Sequence, residues 1–239
     1  MARGLSWRRW IVAHLVGSVL GIVLGTALGA VTLSAGLGAG VGLGVGLAQW
    51  LTLRRTVIGD SPRDWRWPAV GWVGASAGAA LLPGWLLVFA VILGASGGGV
   101  PPPDVDTFIA SVAGVGALFG GVPGVALGIV VGGVQTLILR LIWPGLPVRY
   151  GLGWLAATAV GWGLSWALEG VGAGLIATAT SAEGVATPVL VVVGIILVLG
   201  CWAVTGALTG LVLARLNGWA ATASPVPPAS PAGEPTVAG

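Results

Sequence analysis

Residues 108–139 read FIASVAGVGALFGGVPGVALGIVVGGVQTLIL, 32 positions without a charge, and the number of times this stretch crosses a bilayer decides the fold. A hydrocarbon core about 30 Å thick takes about 20 helical residues, so the stretch is one long span or two short helices turned at Pro123. Glycine recurs at Gly116, Gly120, Gly124, Gly128 and Gly132, a spacing of four that a turn at Pro123 has no reason to preserve across itself. Proline is tolerated in membrane helices, where it makes a kink. A hairpin would also throw Arg140 and Arg149 to the side opposite the amino-terminal arginines, whereas one crossing keeps them together, as the positive-inside rule requires. One crossing is expected.

The rest of the chain fits the same solvent. Of its 239 residues 56% are hydrophobic and 7% charged, with mean hydropathy +1.02. Soluble domains carry roughly a quarter charged residues, so a polar skin cannot be assembled here and lipid must take its place. Apolar segments fall at about 10–33, 36–53, 67–94, 113–142, 151–177 and 189–214. The chain thus reads as an all-α polytopic membrane bundle of six transmembrane helices, with both termini in the cytoplasm of a bacterial cell whose inner membrane holds it. All ten basic residues are arginines, and six spans put every one on the cytoplasmic side. The opposite loops, 97–106 with Asp104 and Asp106 and 181–188 with Glu183, carry only acids. The amino terminus resembles a signal peptide superficially, but its apolar run exceeds the roughly 7–15 residues of such a segment and is expected to stay as the first span. Residues 1–219 form the bundle, and residues 220–239, rich in Pro, Ala, Ser and Thr, are expected to be a disordered cytoplasmic tail.

A repeat underlies the spans. GLAQWLTLR at 46–54 aligns without gaps on GGVQTLILR at 132–140, and GALTGLVLAR at 206–215 is a weaker copy from which the glutamine is absent. AVGW recurs at 69–72 and 159–162. The reading is three tandem helical hairpins, parallel rather than inverted because each unit holds an even number of spans. The combination of Gly-x-x-x-Gly, Gln-Trp-Leu-x-Leu-Arg-Arg, a tryptophan-rich turn, Gly-Trp and a closing Gly-Ala-Leu-Thr-Gly resembles a loose group of uncharacterised bacterial multi-spanning membrane proteins. The resemblance covers most of residues 36–215 and implies no activity.

Glycine stripes at Gly17, Gly21, Gly25 and Gly29, at Gly38, Gly42 and Gly46, and along the fourth span give flat faces for close helix packing, which replaces the hydrophobic drive that lipid cannot supply. Polar side chains lie on or beside those faces. His14, Gln49 and Gln135 each stand five residues from an arginine, about 7–8 Å along a helix, and are expected to form one layer near the cytoplasmic side, facing into the bundle. That layer is either a polar constriction or small-molecule site, or a set of interhelical hydrogen bonds that fixes register. Glu169 lies twenty residues from Arg149, about 30 Å, and belongs near the outer boundary as an interfacial carboxylate or a buried acid. Trp7, Trp10, Trp65, Trp67, Trp143, Trp154 and Trp219 are expected in an interfacial belt, and Trp72, Trp162, Trp166 and Trp202 deeper, against glycine faces.

No reaction is legible. One histidine, one cysteine (Cys201) and no lysine leave no pattern for a metal centre, a cofactor, a nucleophile with its base, or a phosphate loop. The basic pI near 10.5 comes from arginines at the ends of apolar runs, which does not describe a nucleic-acid surface. The expectation is no enzyme but a structural or interaction module whose partners are the lipid bilayer and a second copy or another membrane protein. The competing class is a small channel or transporter constricted at His14, Gln49 and Gln135.

Overall fold

A computed structural model describes residues 6–32, 35–58, 64–80, 105–181 and 187–223. The expectations for Arg3, Arg63, Asp104, Glu183, the second half of the third span and most of the tail concern residues outside these. Among the described residues the chain is all-α, with six helices and no strand. They are α1 (Trp7–Thr32), α2 (Ala35–Leu53), α3 (66–80), α4 (Val105–Ile142), α5 (Val148–Ser181) and α6 (Thr187–Ala223), with a π-helical turn, Arg54–Ile58, closing α2. Two of them contain segments long and apolar enough to cross a bilayer, Trp7–Ala27 in α1 and Gly120–Ile142 in α4.

Residues 108–139 lie in one continuous helix, with Pro123 inside it. Proline removes one backbone donor, yet the run of glycines around it packs flush on α5. A methyl group at Gly128 would sit 2.6 Å from the Ala159 Cα, so only hydrogen fits that contact. The turn into α5 follows from Trp143-Pro144-Gly145-Leu146. The Leu146 N–H donates to the Trp143 carbonyl at 3.0 Å and Gly145 has φ of 88°, the pattern of a type II turn with proline second and glycine third. At the start of α3, Asp64 Oδ1 accepts the Arg66 backbone N–H at 2.9 Å, a side-chain cap.

Helices α1 and α2, α4 and α5, and α5 and α6 pack as chain neighbours, and α6 returns to α1. Helix α3 joins them through Gly42 and Gly46 of α2 against its Ser76, and through its Gly71 against Ile138 of α4. The six helices therefore close into a ring. One buried cluster joins Trp10, Trp72 and Trp154 from the starts of α1, α3 and α5 to Leu53, Leu139 and Leu213 from the ends of α2, α4 and α6. Starts and ends meet at one level only if successive helices run in alternating directions. The eight described arginines, Arg8, Arg9, Arg54, Arg55, Arg66, Arg140, Arg149 and Arg215, flank that cluster in the chain and are all exposed. They gather at one end of the bundle.

Two boundaries depart furthest from expectation. Helix α4 begins eight residues earlier than 113, taking in Val105 to Val112. Helix α6 runs on to Ala223 instead of stopping at 214, because Leu216 is fully buried in the arginine-end cluster and Trp219 packs beside it, against Tyr150 with ring centroids 5.9 Å apart. The first four residues assigned to the tail, 220–223, are thus helical.

Candidate buried polar site

Three tryptophans meet inside the ring. Trp10 and Trp154 have ring centroids 5.9 Å apart, and Trp72 and Trp154 5.8 Å, and all three are 0% exposed. The expected belt position of Trp10 and Trp154 is therefore wrong: the indoles point inward, where a neutral N–H can be bonded, rather than outward to the headgroups. Trp7 and Trp67, 46% and 78% exposed, do face outward at that end.

Each indole donates to a polar side chain on a preceding or following even-numbered helix. Trp72 Nε1–H donates to Gln49 Oε1 at 2.9 Å, Trp154 Nε1–H to Gln135 Oε1 at 3.1 Å, and Trp10 Nε1–H to Thr209 Oγ1 at 2.9 Å. The positions four residues after the tryptophans are also equivalent. Ser76 Oγ donates to the Trp72 carbonyl at 3.1 Å, Thr158 Oγ1 to that of Trp154 at 2.9 Å, and His14 Nδ1 lies 3.0 Å from that of Trp10. Sequence order hides the symmetry, because the third unit is built from the last helix and the first.

The third unit is also where the polar side chains change. Threonine is shorter than glutamine, and His14 takes the freed space: a methyl group at Gly206 would lie 2.9 Å from its ring Cγ. A carbonyl can only accept, so Nδ1 carries the proton toward Trp10 and Nε2 presents a lone pair. Gln49 Nε2–H donates to that lone pair at 2.7 Å. Gln135 Nε2 reaches Gln49 Oε1 at 3.4 Å and Ser76 Oγ at 3.5 Å, longer and weaker contacts. Beyond Trp10, Thr209 Oγ1 donates to the Thr205 carbonyl, and Thr205 meets Ser165, which donates to the Cys201 carbonyl, each at 2.7 Å. The structure thus brings His14, Gln49 and Gln135 into one buried, mutually bonded set. Glu169 stands apart from it, half-buried on α5.

The AVGW match is corrected by the same bonds. The partner of Trp72 by role is Trp154, not Trp162: each stands six residues after the start of its helix, and the second copy of the tetrapeptide lies eight residues, about two turns, deeper in α5. Trp162 belongs to a second cluster farther from the arginines, with Trp166, Cys201 and Trp202. Ser76, Thr158 and Thr209 were not singled out by sequence. A Trp-x-x-x-(His/Ser/Thr) pattern at 10/14, 72/76 and 154/158 carries the signal. Among the described residues, no three His, Cys, Asp or Glu side chains assemble as metal ligands would. No family model matches the chain, and no similar curated protein or solved structure is found.

Proposed function

We propose that this chain is a multi-pass protein of the bacterial inner membrane, six spans in three hairpins, and that it works as a glycine-packed structural or interaction module. Support for the membrane comes from an inverted distribution of polarity. Val12, Val16, Val19, Leu20, Val23 and Leu24 project outward from α1, as do Val122, Ile129, Val130 and Leu137 from α4, while His14, Gln49, Gln135 and the hydroxyls lie inside. Arginines at one end and alternating helices supply the orientation, with both termini at the arginine end.

The observation that carries the module reading is the closed state of the polar layer. His14, Gln49 and Gln135 are buried and linked through Gln49; the two glutamines accept from the Trp72 and Trp154 indoles, and His14 bonds the Trp10 carbonyl. Such bonds fix helix register at about 0.6–2 kcal/mol each in a membrane. They already engage His14 Nε2 and both glutamine carbonyls, the acceptors that would replace the hydration of a passing ion or solute, so the channel reading draws no support from these residues. Partners are the surrounding lipid and either a second copy or another membrane protein.

Reconstitution in proteoliposomes tests the choice. The module carries no selective ion or solute flux and is recovered after mild extraction in an assembly larger than one chain. A selective flux abolished by Gln49→Ala with Gln135→Ala establishes a transport pathway instead.

A further inference from the structure

The inner polar side chains find partners within the protein, but two groups on the outer half of α5 do not. Trp166 Nε1 and Glu169 Oε2 are both buried atoms with no hydrogen-bond partner, and Trp166 as a residue is only 8% exposed. They are three residues apart, neighbours on one helix face at about 5–6 Å between Cβ atoms. That face is turned to α6. Ser165 bonds the Cys201 carbonyl, the Trp166 ring stands edge-on to Trp202 with centroids 6.5 Å apart, and the Glu169 carboxyl is close enough to Cys201 to act on it electrostatically. A buried donor or acceptor left unmade costs more than a typical hydrogen bond contributes, so two such groups side by side point to a ligand that completes them.

The pair is one donor and one carboxylate, with indole rings beside it. A protonated amine suits the carboxylate and the indole faces, and an oxygen two carbons away suits the indole N–H. We propose that Trp166 and Glu169 form a binding site for an amino alcohol, its ammonium on the Glu169 carboxylate and its oxygen accepting from Trp166 Nε1–H. Glu169 is half-buried as a residue although its Oε2 is buried, so the ligand reaches the pair from the side of the bundle as the Glu169 side chain turns outward. Two sources share this chemistry, free ethanolamine and an ethanolamine lipid headgroup. The lipid source rests on the six-span reading, which puts Glu169 about 30 Å from Arg149, at the opposite headgroup level. Amine binding in micelles does not rest on it.

Full-length protein in lipid-free micelles is titrated with ethanolamine hydrochloride against matched sodium chloride, reading tryptophan fluorescence, and retention of phosphatidylethanolamine over phosphatidylglycerol is read by native mass spectrometry. Wild type shows saturable binding; Glu169→Gln weakens it at least tenfold, and Trp166→Phe, which keeps one aromatic ring and loses the pyrrole N–H, at least threefold. Retention of the lipid identifies the headgroup source, and saturable ethanolamine binding without retention identifies the free amine; both support the site. Absence of saturable binding by either probe overturns it, as does unchanged affinity in the two variants. If Glu169→Gln fails to fold, Trp166→Phe decides alone.

Discussion

Gln49 and Gln135 each engage three side chains, but Gln49 holds His14 and Trp72 at 2.7 and 2.9 Å whereas the contacts of Gln135 are 3.1 Å or longer. Gln49→Ala strips a buried indole N–H of its acceptor and is expected to destabilise the protein by about 2–3 kcal/mol. Gln135→Ala, whose amide nitrogen makes only long contacts, is expected to cost about 1–2 kcal/mol. Unfolding in mixed micelles measures both, and an inverted order would contradict the bonding pattern described above. The third unit has its own test: a double-mutant cycle on Trp10→Phe and Thr209→Val should give a coupling of about 0.6 kcal/mol and no more than about 1.7. A coupling of zero removes Thr209 as the counterpart of the glutamines. Sequence spacing alone brought His14, Gln49 and Gln135 to one depth, because a fixed rise per residue from a charged helix end needs no tertiary knowledge. It misplaced Trp10 and Trp154, because tryptophan near a helix end suits both an interface and a buried bond, and only the neighbouring helix decides which.

At the scale of helices, glycine acts where backbones touch and is incidental elsewhere. Gly128→Ala places a methyl 2.6 Å from the Ala159 Cα and must push α4 from α5, with an expected loss of about 1–3 kcal/mol. Gly133→Ala, with nothing within 4 Å, is expected to be neutral or to gain up to about 1 kcal/mol from helix propensity. Unfolding measurements that found the two substitutions equivalent would refute close packing at the α4–α5 face. The single helix through Pro123 was legible from the period of four in its glycines, which survives only if the helix does. The extension of α6 to Ala223 was not, since it depends on Leu216 and Trp219 finding the arginine-end cluster. The true match of Trp72 to Trp154 was likewise hidden, because the identical tetrapeptide recurs two turns deeper in α5 and only the bonds to the glutamines show which tryptophan has the role.

For the whole molecule, closure of α6 on α1 turns three consecutive hairpins into a ring with one polar unit per pair of helices, the last pair joining the two ends of the chain. The same alternation brings eight arginines to one end and leaves the valines and leucines of α1 and α4 facing outward. Both features rest on the direction of each helix, and accessibility tests the six crossings proposed from it. Single cysteines are placed at Ser6, Arg55, Arg149 and Thr222 in a Cys201→Ala background and exposed in oriented inner-membrane vesicles to a reagent that cannot cross lipid. All four are expected to react from the cytoplasmic face; reaction of the Arg149 and Ser6 positions from opposite faces would contradict six alternating spans.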